Sequence, residues 1–309
     1  MRIRATVAAV SGALALSALV APGAHAAGSD DHRADIAKVR EAARAASGKT
    51  PFTGSTGSDG EPYELGLNFS NVVVNKGKPI VAGVSNQVTV PVTFEIKYTA
   101  DVDITADDFF LDVELYRGSY DEPTGLLMGD DFPSCTAAGT QAAKCKGTID
   151  VYPADELANA DATTWKAMGT AIAFNGVDPG DDDADLSKIG YVDQDMPNIT
   201  SKLQRYSKLT VNAAPEPVKK NKTVTVTGKL TRADWETHTY RGYTGQSVKL
   251  QFRKKGSSTY TTLKTIKSDG SGNLKTTTKA TVDGYFRYSF AGTSTTPAVS
   301  ATGDYVDVR

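Results

Sequence analysis

The chain has 309 residues, of which 23% are charged and 8% aromatic, and its formal net charge is −2 at pH 7. This composition is typical of a globular protein long enough for two domains with their own cores. After the first residues no apolar run approaches the ~20 residues that cross a bilayer, so the sequence predicts no membrane insertion. Nucleic acid is not expected as a partner either. Gly, Ser, Thr and Asp are frequent and long helical stretches are absent, which indicates short strands joined by turns.

Residues 1–26 have the pattern of a secretory signal peptide. Arg2 and Arg4 form a basic start, an uncharged run covers residues 5–20, and residues 24–26 (Ala-His-Ala) match the small-x-small cleavage pattern. A membrane anchor is the alternative, but the apolar run is short and Pro22 follows it. We therefore expect an exported, extracellular protein.

The chain has two cysteines, Cys135 and Cys145. In an exported protein such a close pair predicts a disulfide that pins the segment from Ser134 to Lys146. A metal site at the cysteines is excluded, because the only histidines after the signal peptide are His32 and His238.

Residues 27–60 are predicted to form a flexible arm that contains a short helix. Ile36, Val39 and Ala43 have helical spacing between Asp31 and Ser47. A stretch rich in Gly, Ser and Thr follows at residues 50–60, which is typical of a linker.

Residues 61–211 are predicted to form a first antiparallel β-sandwich. Val88 to Ile96 alternates apolar and polar residues with period two. Phe109 to Tyr116 places Leu111, Val113 and Leu115 on one side and Asp112 and Glu114 on the other. Further strands are predicted at 63–74, 147–152, 165–174 and 208–211, with Trp165 in the core.

Residues 212–309 are predicted to form a second sandwich, after a Pro-containing segment at 212–217. Alternating strands are predicted at 223–227 and 248–253, and further strands at 260–266, 274–280, 285–290 and 305–308. Six or seven strands in this length fit one immunoglobulin-like sandwich. The overall fold class is therefore all-β, with two antiparallel β-sandwich domains behind a signal peptide and an arm.

The motifs Thr227-Gly228-Lys229-Leu230, residues 243–250 (YTGQSVKL) and residues 283–287 (DGYFR) resemble a C-terminal Ig-like module of secreted actinobacterial proteins. The resemblance covers about residues 208–309, and the two cysteines and Trp165 are similar to parts of the domain that often precedes the module. This largely uncharacterised family is sometimes labelled calcium-binding. The resemblance implies a fold and an extracellular location, and it implies no catalytic residues.

Charge is divided unequally between the two predicted domains. Residues 49–211 hold 25 acidic and 12 basic side chains, a net −13, and residues 212–309 hold 7 acidic and 16 basic, a net +9. Opposite potentials would favour a closed arrangement of the domains or head-to-tail contacts between molecules. The alternative is that each domain is simply solubilised by its own majority charge.

The densest acidic cluster predicts calcium as the one candidate cofactor. Its carboxylates lie in one loop and are the oxygen ligands that Ca²⁺ prefers. They are Asp178, Asp181, Asp182, Asp183 and Asp185. The spacing does not match an EF-hand, and a solvated acidic loop is the alternative.

The candidate site for an anionic polymer is Arg253, Lys254 and Lys255, where a predicted strand ends. Clustered cations of this kind bind polyanions in a salt-dependent way, and a solvated loop is the alternative. A third candidate is carbohydrate stacking on Trp235, Tyr240 and Tyr243, although such aromatics also cap cores.

Catalytic motifs are missing from the sequence. There is no G-x-S-x-G, no H-E-x-x-H and no phosphate-binding Gly-rich loop. We therefore expect a non-catalytic binding or structural protein that acts near the cell wall, with a cell-wall polymer or polysaccharide as partner. A calcium-binding module is the main alternative, and a secreted polysaccharide-active hydrolase is the remote one.

Overall fold

The computed structural model describes residues 29–47 and 60–309, so the predicted signal peptide and the segment 48–59 lie outside the described residues. Helix α1 covers Ser29–Ser47. The strands of the first domain are β1 (Tyr63–Glu64), β2 (Leu67–Val74), β3 (Ile80–Ala82), β4 (Val88–Tyr98), β5 (Phe109–Gly118), β6 (Pro123–Leu127), β7 (Ser134–Gly139), β8 (Ala142–Val151), β9 (Thr164–Ala173) and β10 (Gly190–Arg205). Those of the second are β11 (Ser207–Leu209), β12 (Asn212–Ala214), β13 (Thr223–Asp234), β14 (Thr239–Gly242), β15 (Ser247–Lys254), β16 (Thr261–Lys267), β17 (Asn273–Lys279), β18 (Gly284–Phe290), β19 (Val299–Ser300) and β20 (Asp304–Val306).

Two sheets pack face to face in the first domain. One has the order β2-β4-β8-β7, and the other has the order β1-β10-β9-β5-β6 with β3 beside β10. The alternation predicted for β4 is confirmed, since Val92, Phe94 and Ile96 are buried in the core. Gly169 of β9 lets the sheets approach closely, because a Cβ there would lie 2.5 Å from the ring of Phe69.

The second domain is a smaller sandwich. Strands β11, β12, β14 and β17 all pair with β13 in one sheet, and the other sheet has the order β16-β15-β18-β19 with β20 also paired to β18. The two domains confirm the predicted fold class, all-β with antiparallel sandwiches. Hydrogen bonding to the second domain begins at β11, because Ser207–Leu209 already pairs with β13.

Helix α1 packs on the outer side of β5, β9 and β10. Ile36 and Val39 are buried there against Phe110, Ile172 and Tyr191. The predicted helix is confirmed. The sequence favours a flexible arm for it, whereas in the structure its apolar residues are packed against the first domain. Strand β5 is therefore covered on both sides. In the described part of the chain, no helix is both long and apolar enough to span a bilayer.

The predicted disulfide between Cys135 and Cys145 is present. The two residues lie directly opposite each other in the β7–β8 hairpin. The bond therefore ties the edge strand of the first sheet to its neighbour, and the pinned segment is a hairpin.

The two domains meet around Trp235, which follows β13 and is fully buried among core residues of the first domain. Its indole Nε1 donates a hydrogen bond of 2.7 Å to the carbonyl of Gly83. Its backbone N–H donates to Asn159 Oδ1 at 3.0 Å, and the Asn159 N–H donates to Glu236 Oε1 at 2.8 Å. A side chain of the second domain thus completes the core of the first.

The chain that joins the domains is itself held on both sides. Arg205, at the end of β10, donates from Nε to the carbonyl of Ala233 at 2.6 Å, and burial lowers the pKa of this guanidinium. The N–H of Tyr206 donates to the carbonyl of Ala82 at 2.8 Å. Among the described residues, every ion pair lies within one domain. Apolar burial and hydrogen bonds join the two domains, and in the ranges 29–47 and 60–309 the charge difference between them is not paired across the junction.

We predict that Trp235→Ala uncouples the domains. Removing a buried Trp leaves a cavity in the first core, and the free energy of unfolding should fall by about 3–5 kcal/mol. Calorimetry should show one transition for the wild-type chain and two for the variant. Trp235→Phe keeps most of the ring but loses the bond to Gly83, so it should lose about 1–3 kcal/mol and retain a single transition. If both variants melt like the wild type, Trp235 does not couple the domains.

Candidate functional site

The outer side of the second sheet of the second domain carries a row of tyrosines and arginines. Along β18 the residues Phe286, Tyr288 and Phe290 are buried, so the alternate residues Tyr285 and Arg287 point outward. Strand β15 alternates in the same way and presents Gln251 and Arg253 beside them. We call the group formed by these neighbours the Tyr–Arg face; its members are Arg253, Tyr260, Tyr285, Arg287 and Tyr305.

Stacking on aromatic rings holds both guanidinium groups of this face. The Arg287 guanidinium carbon lies 3.7 Å from the ring centre of Tyr260, and that of Arg253 lies 4.1 Å from the ring centre of Tyr285. Arg287 also donates from Nε to Gln251 at 2.8 Å, and Arg253 donates to the carbonyl of Ser257 at 2.6 Å. The guanidiniums are therefore oriented in advance, with donors left for a ligand.

Tyr305 extends the face at the edge of the sheet. Its ring centre lies 5.2 Å from that of Tyr285, which stands opposite it on β18. Its hydroxyl donates to Asp283 at 3.1 Å, and the ammonium of Lys255 lies 3.6 Å from the same carboxylate. Hydrogen bonding with Tyr305 and the charge of Asp283 raise the pKa of Lys255. The positive charge of Lys255 is thus partly compensated by the carboxylate of Asp283.

The two arginines differ from Lys255 in this respect. Within the described residues neither Arg253 nor Arg287 lies within 4 Å of a carboxylate, so neither forms an ion pair. Both side chains are half-buried, which weakens the screening of their charge by water. The guanidinium fork suits carboxylate and phosphate groups, which it binds with two parallel hydrogen bonds.

The structure gathers some of the predicted polymer-binding residues and separates others. Arg253 lies in the face and Lys255 lies at its rim. Lys254 is exposed, but it alternates with Arg253 and so belongs to the opposite side of β15. Arg287 and the three tyrosines were not predicted from the sequence. The sequence signal that could have identified Tyr285 and Arg287 is the pattern Tyr285-Phe286-Arg287, in which one core residue lies between two residues that point outward.

The candidate carbohydrate platform of Trp235, Tyr240 and Tyr243 is not formed, and the alternative of aromatics that cap cores fits these residues better. Trp235 has no exposed surface, because it fills the core of the first domain. Tyr240 is half-buried with the ammonium of Lys208 at 3.4 Å from its ring centre. The Arg232 guanidinium likewise covers the ring of Tyr243, at 4.0 Å. Trp235 and Tyr240 pack with the first core, and Tyr243 packs with the second, where its ring centre lies 5.7 Å from that of Phe290.

In the predicted calcium loop, two of the carboxylates accept hydrogen bonds from backbone N–H groups of the loop itself. Asp178 accepts a bond of 2.7 Å from the N–H of Gly180, and Asp185 accepts one of 3.2 Å from the N–H of Ser187. Hydrogen bonding from Ser187 lowers the pKa of Asp185, and Lys188 lies 3.4 Å from that carboxylate. Asp181, Asp182 and Asp183 are exposed. In the described ranges, no three His, Cys, Asp or Glu side chains are grouped so that they could hold a metal ion.

Comparison with solved structures gives distant matches. No family model matches the chain, and no curated protein does. The chain is similar to the fibronectin(III)-like modules of CbhA from Clostridium thermocellum, with 12% identity over 77% of this chain and 92% of that one, at a TM-score of 0.26. It is similar to the D00-D0 domain of intimin, with 14% identity over 76% and 98% of the chains, at a TM-score of 0.24.

The ectodomain of mouse nectin-like molecule 4 also matches, with 12% identity over 77% of this chain and 63% of that one, at a TM-score of 0.22. TM-scores of this size carry no argument about function. The functional assignment therefore rests on the residues of this chain.

We predict that calcium leaves the melting temperature of a chain that begins at Ala27 unchanged. A ligand at 100 times its Kd would add about 2.7 kcal/mol of stability, but the acidic loop offers no convergent ligand set. The measurement is a thermal melt in millimolar calcium against the same sample in EDTA. A clear rise that the double substitution Asp181→Asn and Asp183→Asn abolishes would contradict this expectation and support the calcium site.

Proposed function

We propose that this is an exported, non-catalytic binding protein that holds an anionic polymer of the cell surface on the Tyr–Arg face. The observation that carries the proposal is the pair of half-buried guanidiniums, Arg253 and Arg287, which stack on tyrosines and have no carboxylate partner among the described residues. In an ion pair a carboxylate would already compensate these charges, whereas stacking on a ring leaves the guanidinium donors available to a ligand.

The polymer class follows from the chemistry of the face. Guanidinium groups bind carboxylates or phosphates, and adjacent tyrosine rings offer flat apolar surfaces to the C–H faces of sugar rings. A polymer that combines both features, such as a uronate polysaccharide or a phosphate-linked wall polymer, fits best. Export is supported by the signal-peptide pattern of residues 1–26 and by the disulfide, since disulfides persist in oxidising compartments.

The test is binding of the mature protein to polygalacturonate and to a glycerol-phosphate polymer, measured by calorimetry at low and physiological salt. Substituting Arg253→Gln and Arg287→Gln together should weaken binding at least tenfold, because two directed donor groups are lost. Binding by the wild type should also weaken as salt rises, since the Debye length falls to ~8 Å at physiological ionic strength.

The matched control is Lys275→Gln with Lys279→Gln, which removes two exposed cations of β17 on the other sheet. This control should bind like the wild type. An equal loss in both double variants would show that net charge alone drives binding, and failure of the wild type to bind either polymer would refute the proposal. Neutral dextran serves as the uncharged reference.

A further inference from the structure

The Tyr–Arg face lies at the end of the second domain that is remote from the domain junction. Strand β18 begins at Gly284, beside Tyr285 of the face, and its other end leads to Thr295. The carbonyl of Thr295 accepts a hydrogen bond of 3.0 Å from the N–H of Arg205, so that other end belongs to the junction. Arg253 stands opposite Tyr285 in the sheet and is therefore remote from the junction as well.

This end of the second domain is also rich in exposed lysines. Lys219, Lys220 and Lys222 lie on the segment before β13. The N–H of Asn221 in that segment donates to the carbonyl of Ala280 at 2.7 Å, in the connection that leads into β18. In the described part of the chain none of these three lysines forms an ion pair. The surroundings of the Tyr–Arg face therefore favour a negatively charged partner.

The remote end of the first domain has the opposite charge. Residues 178–185, which we call the acidic loop, come just before Gly190, where β10 begins, and β10 ends at the junction with Arg205. A strand of 16 residues extends roughly 50 Å, so the acidic loop and the junction lie at opposite ends of the sandwich. The loop holds five aspartates and no cation, and all five are exposed.

The cations nearest to the acidic loop leave most of this charge uncompensated. Lys188 lies 3.4 Å from the carboxylate of Asp185 alone, and Lys38 of helix α1 donates to a backbone carbonyl of the loop at 3.5 Å. Within the ranges that the structure describes, no ion pair involves the three consecutive aspartates of the loop, Asp181, Asp182 and Asp183. These three carboxylates are therefore available to a partner.

The geometry of the face suits neighbouring carboxylates. The ring centre of Tyr260 lies 5.3 Å from the guanidinium carbon of Arg253 and 3.7 Å from that of Arg287, so the two guanidiniums flank one ring. Successive residues of a chain have Cα atoms 3.80 Å apart, so consecutive aspartates present their carboxylates close together. Each guanidinium can bind one carboxylate with two parallel hydrogen bonds. A run of exposed aspartates thus matches the paired guanidiniums.

From these observations we infer that the acidic loop of one copy of this chain docks on the Tyr–Arg face of a second copy, so that copies associate head to tail. Among the described residues no ion pair joins the loop and the face of one copy, and each lies at the end of its domain remote from the junction. A second copy brings them together. The contact is heterologous, since each copy keeps a free loop at one end or a free face at the other.

This inference rests on the proposed anion-binding role of the Tyr–Arg face and adds a regulation of it. The acidic loop and an anionic polymer need the same two guanidiniums, so they exclude each other. Copies associate when no polymer is present and separate when polymer occupies the face. Because the charges involved are exposed or half-buried, salt weakens the association, and it is strongest at low ionic strength.

The test measures the mass of the chain that begins at Ala27, by light scattering at low salt over a range of concentrations. The wild type should exceed the monomer mass as its concentration rises and return to it at high salt. The loop variant carries Asp181→Asn, Asp182→Asn and Asp183→Asn, and the face variant carries Arg253→Gln and Arg287→Gln. Each variant alone should stay monomeric, with association at least tenfold weaker than that of the wild type.

An equimolar mixture of the two variants provides the decisive measurement. The loop variant has an intact face and the face variant has an intact loop, so one contact can form between them. The mixture should therefore give a species of twice the monomer mass and nothing larger. A wild type that stays monomeric at low salt overturns the inference, and so does a mixture that stays monomeric at concentrations where the wild type associates.

The matched control carries Asp121→Asn, Glu122→Gln and Asp131→Asn, which remove three exposed negative charges elsewhere on the first domain. This control should associate like the wild type. If it loses association as fully as the loop variant does, net charge alone drives the contact and the inference is overturned.

Polymer binding separates this inference from the proposed function. The loop variant keeps the Tyr–Arg face, so it should bind polygalacturonate at least as tightly as the wild type, and polygalacturonate should abolish the complex in the mixture. Polymer binding together with a monomeric wild type overturns the inference alone. Head-to-tail association without polymer binding overturns the proposed function alone, and a complex that persists in saturating polymer overturns the shared site.

Discussion

Strand β10 sets the constraint on which the rest of the structure depends. It has 16 residues, pairs with β9, β1 and β3, and ends in the connection to the second domain. One side of it faces the sandwich core, while the other side carries Asp193 and Asp195. Asp193 is half-buried there and Asp195 is exposed, and a buried carboxylate on a strand is stable only if cations and hydroxyl groups compensate its charge. The position of helix α1 follows from that requirement.

The same strand determines how the domains are joined. Its last residue, Arg205, bonds to the carbonyl of Ala233, and Trp235 then enters the first core. An opposite charge on the two domains suggests electrostatic docking, yet the contacts are an aromatic anchor and directed hydrogen bonds. Burying a Trp removes a large apolar area from water, whereas exposed charges on separate surfaces are screened. Apolar burial therefore dominates this junction.

Arg40 and the pair Arg253 and Arg287 differ in whether a carboxylate of the protein already compensates their charge. Arg40 is buried against Glu114 and close to Asp193, so its charge is consumed within the fold. Arg253 and Arg287 rest on tyrosine rings with no carboxylate partner in the described part of the chain. A cation held by a neutral ring keeps its charge available to a ligand. For this reason the proposed binding site is on the second domain.

Local pattern was sufficient to predict part of the regular elements. Period-two alternation identified β4, β13 and β15, helical spacing identified α1, and two close cysteines predicted the disulfide. The longest strand, β10, was missed because Asp193, Gln194, Asp195 and Pro197 interrupt its apolar pattern. On its polar side, Asp193 is stabilised by Arg40 and Arg44 of a helix distant in sequence.

The sequence by itself thus determined the all-β class, the helix and the cysteine pair, since each depends on neighbours within a few residues. Only the tertiary structure decided that Trp235 belongs to the core of the other domain, that Arg40 meets Glu114, and that Arg253 and Arg287 come together with Tyr260, Tyr285 and Tyr305. These contacts join residues far apart in the chain. Their partners are selected by burial, charge and strand register, which exist only once the sheets have formed.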